Sequence, residues 1–241
     1  MVDSTNKVDN ILKLFQEETE LKNVKPLMRI ADLQHNREAD MQSAFAPGST
    51  IVLCCSARIP SMEMAMLLAA DASGGENRAG LFANAGDVVL VSKSINASEL
   101  EKMLEKAGAD ASRCFVFRDP EDVHLDNAEI KEQMRKQPTL VVMDQLQSFL
   151  KPLGAGLKSE LDDFAEFVKC TNSIAILVAV GQQAASKIHH LDPATTQFYV
   201  LDALLHEDEI RVTIYGNPIG GQLVYKLDTA KKTVKSVRFS S

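Results

Sequence analysis

The stretch 48-GSTIVLCCSARIPSMEMAMLLAADASG-74 decides how this chain folds. Thr50 to Cys55 is an unbroken apolar run of the length of a strand buried on both faces. A turn follows, and the spacing then predicts a helix beginning near Pro60. Strand, loop and helix in this order open many nucleotide-binding folds. In those folds the loop is glycine-rich and ends in lysine, because bare backbone must wrap phosphates and a cation must meet them. Between Gly48 and Gly74 there is no glycine and no lysine. The framework suits a phosphate site, while the loop lacks its chemistry.

Working outward, the same alternation continues. Val88–Val91 is a short apolar run, and Asn96 with Glu99 offers a capping box for a helix carrying Leu100, Met103 and Leu104. Gly108 suits its C-terminal end. Cys114–Phe117 is the next strand, with Asp119-Pro120 as a turn, and Asp126–Lys136 is helical. Leu140–Met143 is a buried strand ending in Asp144. Leu157–Lys169 is a helix with Leu161, Phe164, Ala165 and Val168 on one side, and Ile174–Val180 is a further buried strand. Such spacing predicts right-handed crossovers and an α/β fold with a doubly wound, mainly parallel sheet. The tail alternates differently. Phe198–Leu201, Glu209–Tyr215, Leu223–Leu227 and Thr233–Phe239 predict an antiparallel β extension joined by Gly/Asn/Pro and Lys-rich turns. Upstream, residues 1–40 form a separate segment: an amphipathic helix over 3–22, with Val8, Ile11, Leu12 and Phe15 on one face, and a linker that includes the weaker pattern from Leu27 to Gln42. Residues 41–241 are the main domain.

Composition limits the function classes. The 241 residues are 45% hydrophobic and 24% charged, with a net charge of −7, which argues against strong general affinity for nucleic acid or anionic membrane. With no tryptophan and 5% aromatics, stacking platforms for single strands are sparse. The four cysteines show no zinc-type spacing, and those in apolar runs suit a reduced core, so an intracellular location, cytoplasmic or nuclear, is expected. No signal peptide or membrane-length apolar run is expected.

In open α/β sheets, ligands bind at the carboxyl ends of the strands. Those ends carry Ser56, Arg58 and Ser61; Ser92, Lys93 and Ser94; Asp144, Gln145 and Gln147; and Gly181, Gln182 and Gln183. An acid after four apolar residues, as at Asp144, is the pattern of a magnesium-directed carboxylate, and equally of an aspartate capping its own turn. Gln182 suits a phosphate sensor or a backbone-bonded strand end. His189-His190 lacks a third ligand spaced beside it and reads as structural or solvent-exposed. No G-x-S-x-G elbow is present, and no nucleophile or base marks a small-molecule enzyme.

Residues 40–230 taken together resemble the RecA-like ATPases, a P-loop NTPase fold, and within them the hexameric replicative helicases of the RepA and DnaB type. Pro47–Leu53 resembles the lead-in to the family's phosphate loop, and Ala57–Met62 the phrase A-R-P-S-M. Thr139–Leu150 resembles the Walker B segment, Ile176–Gln182 the strand ending in a sensor glutamine, and Ile214–Gly220 the late hairpin that bears a K-x-R finger. The departures fall on catalytic positions. Depending on register, the G-K-T positions hold Glu63, Met64 and Ala65, or the lysine and serine fall on Pro60 and Ser61. The catalytic glutamate aligns with Ser94, and the finger region reads Ile214-Tyr215-Gly216.

The resemblance therefore implies a degenerate Walker A motif and a pseudo-ATPase without cofactor. Such a subunit assembles with itself or with RecA-like paralogues, as an oligomer in DNA replication, recombination or repair; any DNA binding is expected to be weak, given the acidic chain. The alternative it implies is an ATPase with a non-standard loop, holding ATP and Mg through Arg58, Ser61, Asp144 and Gln182, with Asp144 as the metal ligand.

Overall fold

The computed structural model describes residues 41–74, 81–82, 84–117, 124–150, 156–191, 196–215, 217–228 and 233–240. The chain divides into compact units at 1–35 and 36–241, and all described residues belong to the second. The amphipathic helix expected within residues 1–40 lies outside the described residues.

The strands are β1 (Thr50–Cys55), β2 (Val88–Val91), β3 (Cys114–Val116), β4 (Leu140–Met143), β5 (Ile174–Val180), β6 (Tyr199–His206), β7 (Glu209–Ile214), β8 (Asn217–Asp228) and β9 (Thr233–Ser240). The helices are α1 (Met41–Ala44), α2 (Ser61–Ser73), α3 (Ala97–Ala107), α4 (Ala128–Arg135), α5 (Leu157–Thr171) and α6 (Gln182–His189). The strands form one sheet in the order β3-β2-β4-β5-β1-β6-β7-β8-β9. From β3 through β6 the pairings are parallel, and from β6 to β9 they are antiparallel.

Period-2 alternation sends successive side chains into two cores. Ile51, Leu53 and Cys55 enter one core, while Val52 and Cys54 enter the other. The same split separates Val88 and Leu90 from Val89 and Val91, and Leu140 and Val142 from Val141 and Met143. The helices follow the direction of travel. The chain passes from β1 to β2 and on to β3 moving one way along the sheet, and Leu68, Leu100 and Leu104 of α2 and α3 pack in the first core. It returns through β4 and β5 to β6, and Ile130, Phe164 and Ile188 of α4, α5 and α6 pack in the second. Right-handed crossovers in opposite directions cover opposite faces, which is the doubly wound arrangement.

Helix α2 is buried along its length except at Glu63. Gly74, at φ 85°, ends it in the left-handed conformation that glycine adopts without a Cβ penalty. Asn96 caps α3 as its sequence indicates, accepting from Glu99 N at 2.9 Å.

Two expectations need correction. Phe198–Leu201 was expected to open the antiparallel tail. Instead β6 runs parallel to β1, with Ile51 opposite Tyr199, and is the sixth parallel strand. The reason is the free second edge of β1, which the crossover through α6 fills. The expected Gly/Asn/Pro turn is also shorter, because β8 already pairs at Asn217 with Ile214. The rest of the tail is antiparallel as expected. Among the described residues no helix is long and apolar enough to cross a membrane.

Candidate functional site

The loop after β1 is closed on itself. Ile59 N donates to Ser56 O at 3.0 Å, a β-turn. Ser61 N donates to Ile59 O at 2.8 Å around Pro60, whose φ −73° and ψ 67° are those of an inverse γ-turn. Pro60 has no N–H to offer. Gly181 N donates to Cys55 O at 2.8 Å and ties the strand end to β5. Ile59 is 5% exposed and pins the loop into the first core. A phosphate loop needs several free N–H groups converging on one point. Here the N–H groups of Ile59 and Ser61 are used within the loop.

Helix α2 begins at Ser61, directly after the γ-turn at Pro60. Glu63 is tied to the far sheet edge. Its Oε2 accepts from Val234 N on β9 at 2.8 Å. Ser61 is buried, while Arg58 is exposed and makes no hydrogen bond or ion pair among the described residues.

At the tip of β4, Asp144 is 3% exposed. Its Oδ2 accepts from Ser92 Oγ at 3.1 Å and from Ser94 Oγ at 2.7 Å. Ser92 Oγ in turn accepts from the backbone N of Ser94 and of Ile95, at 3.2 and 3.1 Å, which fixes the turn after β2. A buried carboxylate is tolerable only when bonded in this way. Gln145 follows in the left-handed region at φ 54°, a conformation uncommon outside glycine. That turn leads into a 3₁₀ segment, Leu146–Ser148, whose Leu146 is buried with Phe149 in the second core. Lys93 is committed to this segment, donating to Ser148 O at 2.9 Å with its ammonium over the Phe149 ring.

Gln182 begins α6 after Gly181 (φ 94°) and is exposed. Arg58, Ser61, Asp144 and Gln182 thus occupy the carboxyl ends of three adjacent strands, β1, β4 and β5. No hydrogen bond among the described residues links any two of the four. A cavity of about 970 Å³ lies between α5, α6 and the 3₁₀ segment, and none of the four lines it. Its polar walls are Gln147, Ser159, Glu160, Asp163, Gln183 and Lys187.

The sequence reading missed one convergence. His189 does have ligand-type neighbours: its Nε2 lies 2.7 Å from Asp202 Oδ1, and Cys54 completes the group. No local spacing signals it, because the three residues come from β1, α6 and β6. His190 is exposed. Burial, with Asp202 nearby, pushes the Cys54 thiol up to about 12, and burial with neighbouring Cys54, Asp144 and Asp202 does the same to Cys55. These are resting thiols, not nucleophiles. Compared with known proteins, the chain matches no protein-family model and no curated protein.

Proposed function

We propose that this chain is a RecA-like subunit of the RepA and DnaB type that has lost nucleotide turnover. It serves as an assembly or interaction module, working with itself or with RecA-like paralogues in DNA replication, recombination or repair. The observation that carries the loss of turnover is the loop at Ser56–Ser61, where a β-turn and a γ-turn use up N–H groups that a phosphate would need. The neighbouring strand tip supports it. Ser94, which aligns with the family's catalytic glutamate, stands 2.7 Å from Asp144 and offers a neutral hydroxyl in place of a base. The missing finger adds to this, since such an arginine contributes about 10³–10⁵ in rate, on the order of 4–7 kcal/mol. The assembly role rests on the resemblance.

A second reading has one observation in its favour. Arg58 stands exposed at the tip of β1 without a partner among the described residues, as a cation that would meet phosphates. In that reading Asp144 gives up its serines for magnesium and Gln182 senses phosphate.

Thermal melting with and without millimolar Mg-ATP separates the two. A ligand at 100 times its dissociation constant stabilises the native state by about 2.7 kcal/mol, roughly 5–10 °C for a domain of this size. The first reading expects Tm to stay within about 1 °C. A shift of several degrees that disappears in Arg58→Ala establishes the second. Sedimentation, alone and with a candidate paralogue, tests assembly; a strict monomer that joins no such subunit overturns that part.

A further inference from the structure

We infer that Cys54, His189 and Asp202 form a binding site for one zinc-class divalent transition-metal ion, on the face of the sheet opposite α2. This inference stands apart from the RecA-like reading.

The site begins with a broken pattern. Along β1, Val52 and Cys54 point into the second core. Along β6, Val200 does the same, and two residues later the same face carries Asp202 where alternation calls for an apolar side chain. Parallel register sets Cys54 directly opposite Asp202. Helix α6 then crosses this face, and its last residue, His189, closes on the pair. The potential donor atoms of all three lie within 4.8 Å of one another.

The donor set is one thiol sulfur, one imidazole nitrogen and one carboxylate oxygen. Soft and borderline donors together favour Zn²⁺ or Co²⁺ over Mg²⁺ or Ca²⁺, which take oxygen ligands. Tetrahedral zinc with bonds near 2.0–2.3 Å holds sulfur and nitrogen about 3.6 Å apart. The longest separation must therefore close by roughly 1 Å, and the 2.7 Å contact between His189 and Asp202 must open slightly. Both are rotamer-scale changes. The imidazole is already oriented, lying flat against the Tyr215 ring at 4.2 Å and 9°. Cys54 is buried, while the His189 and Asp202 side chains are 27% and 24% exposed. The site has a dry sulfur floor and a wet rim, which leaves the fourth position to water. On coordination the Cys54 S–H bond breaks, its proton leaves to solvent, and the sulfur keeps the electron pair that binds the metal.

The test is Co²⁺ titration of the chelator-treated full chain, followed by absorption spectroscopy. One equivalent is expected to bind with a sulfur-to-cobalt charge-transfer band and tetrahedral visible bands, and Zn²⁺ is expected to displace it. Cys54→Ala should abolish the charge-transfer band, and Cys170→Ser should leave it intact. His189→Gln, at a partly exposed helix end where folding is not at risk, should weaken binding by at least ~10-fold, as should Asp202→Asn. Metal-free melting of each variant shows whether it is folded. No thiolate band in wild type, a band that survives in Cys54→Ala, or unchanged affinity in folded His189→Gln overturns the site and leaves a histidine–aspartate pair that braces α6 against β6.

Discussion

Ser94 Oγ donates to Asp144 Oδ2 at 2.7 Å, joining the tips of two neighbouring parallel strands. A second hydroxyl, that of Ser92, reaches the same oxygen, so the carboxylate is held by side chains of the turn after β2 rather than by its own turn. Hydrogen bonds to a charged acceptor contribute about 1.5–3 kcal/mol each. Asp144→Ala strips the buried Ser92 hydroxyl of its carboxylate partner and is expected to cost about 2–3 kcal/mol. Asp144→Asn, which keeps an accepting oxygen, should cost about 1 kcal/mol. Urea denaturation of both variants checks the order, and equal losses contradict the account.

Glu63→Ala removes the acceptor of Val234 N. Because β9 is the sheet edge, its amides have fewer ladder partners than those of inner strands. The expected loss is about 0.5–1.5 kcal/mol, with faster hydrogen exchange concentrated at β9. Exchange that speeds up uniformly over the sheet would place the role of Glu63 elsewhere.

Gly86 precedes β2 where a Cβ would clash with Thr139 Oγ1 and stand 3.2 Å from Thr139 Cβ. Gly86→Ala should therefore destabilise by about 1–3 kcal/mol through overpacking. The clash is with a side chain, so Thr139→Ala in the same chain should restore part of that loss. A double-mutant cycle measures the coupling, and strict additivity would exclude the proposed contact.

In the metal-free chain, burial pushes the Cys54 and Cys55 thiols from an ordinary value of 9.0 up to about 12. Their folded values lie above the unfolded ones, so their contribution to stability is complete below about pH 9 and is lost as pH rises toward 12. In that window stability should fall by up to about 1.4 kcal/mol per pH unit for each thiol. Exposed Cys170 should react with a thiol reagent in the native metal-free protein at pH 8, while Cys54 and Cys55 react only on unfolding. Fast native modification of Cys54 would contradict this.

Arg58→Ala should change stability by less than about 0.5 kcal/mol, since the guanidinium is exposed and forms no pair among the described residues. A larger loss in urea denaturation would reveal a partner for it.

Much of the architecture was legible from local pattern. The apolar runs ending at Cys55, Val91, Met143 and Val180 became buried parallel strands with little change of boundary, because a strand enclosed on both faces must be apolar throughout. The loop after β1, which the sequence shows to lack glycine and lysine, closes on itself through Ile59 N to Ser56 O and Ser61 N to Ile59 O.

The tertiary structure alone decided which strand fills the second edge of β1, where Glu63 turns, and that Cys54, His189 and Asp202 meet. Those relations join residues far apart in the chain through crossovers. Periodicity records only whether a position faces a core, and the partner waiting there depends on how the whole sheet is wound.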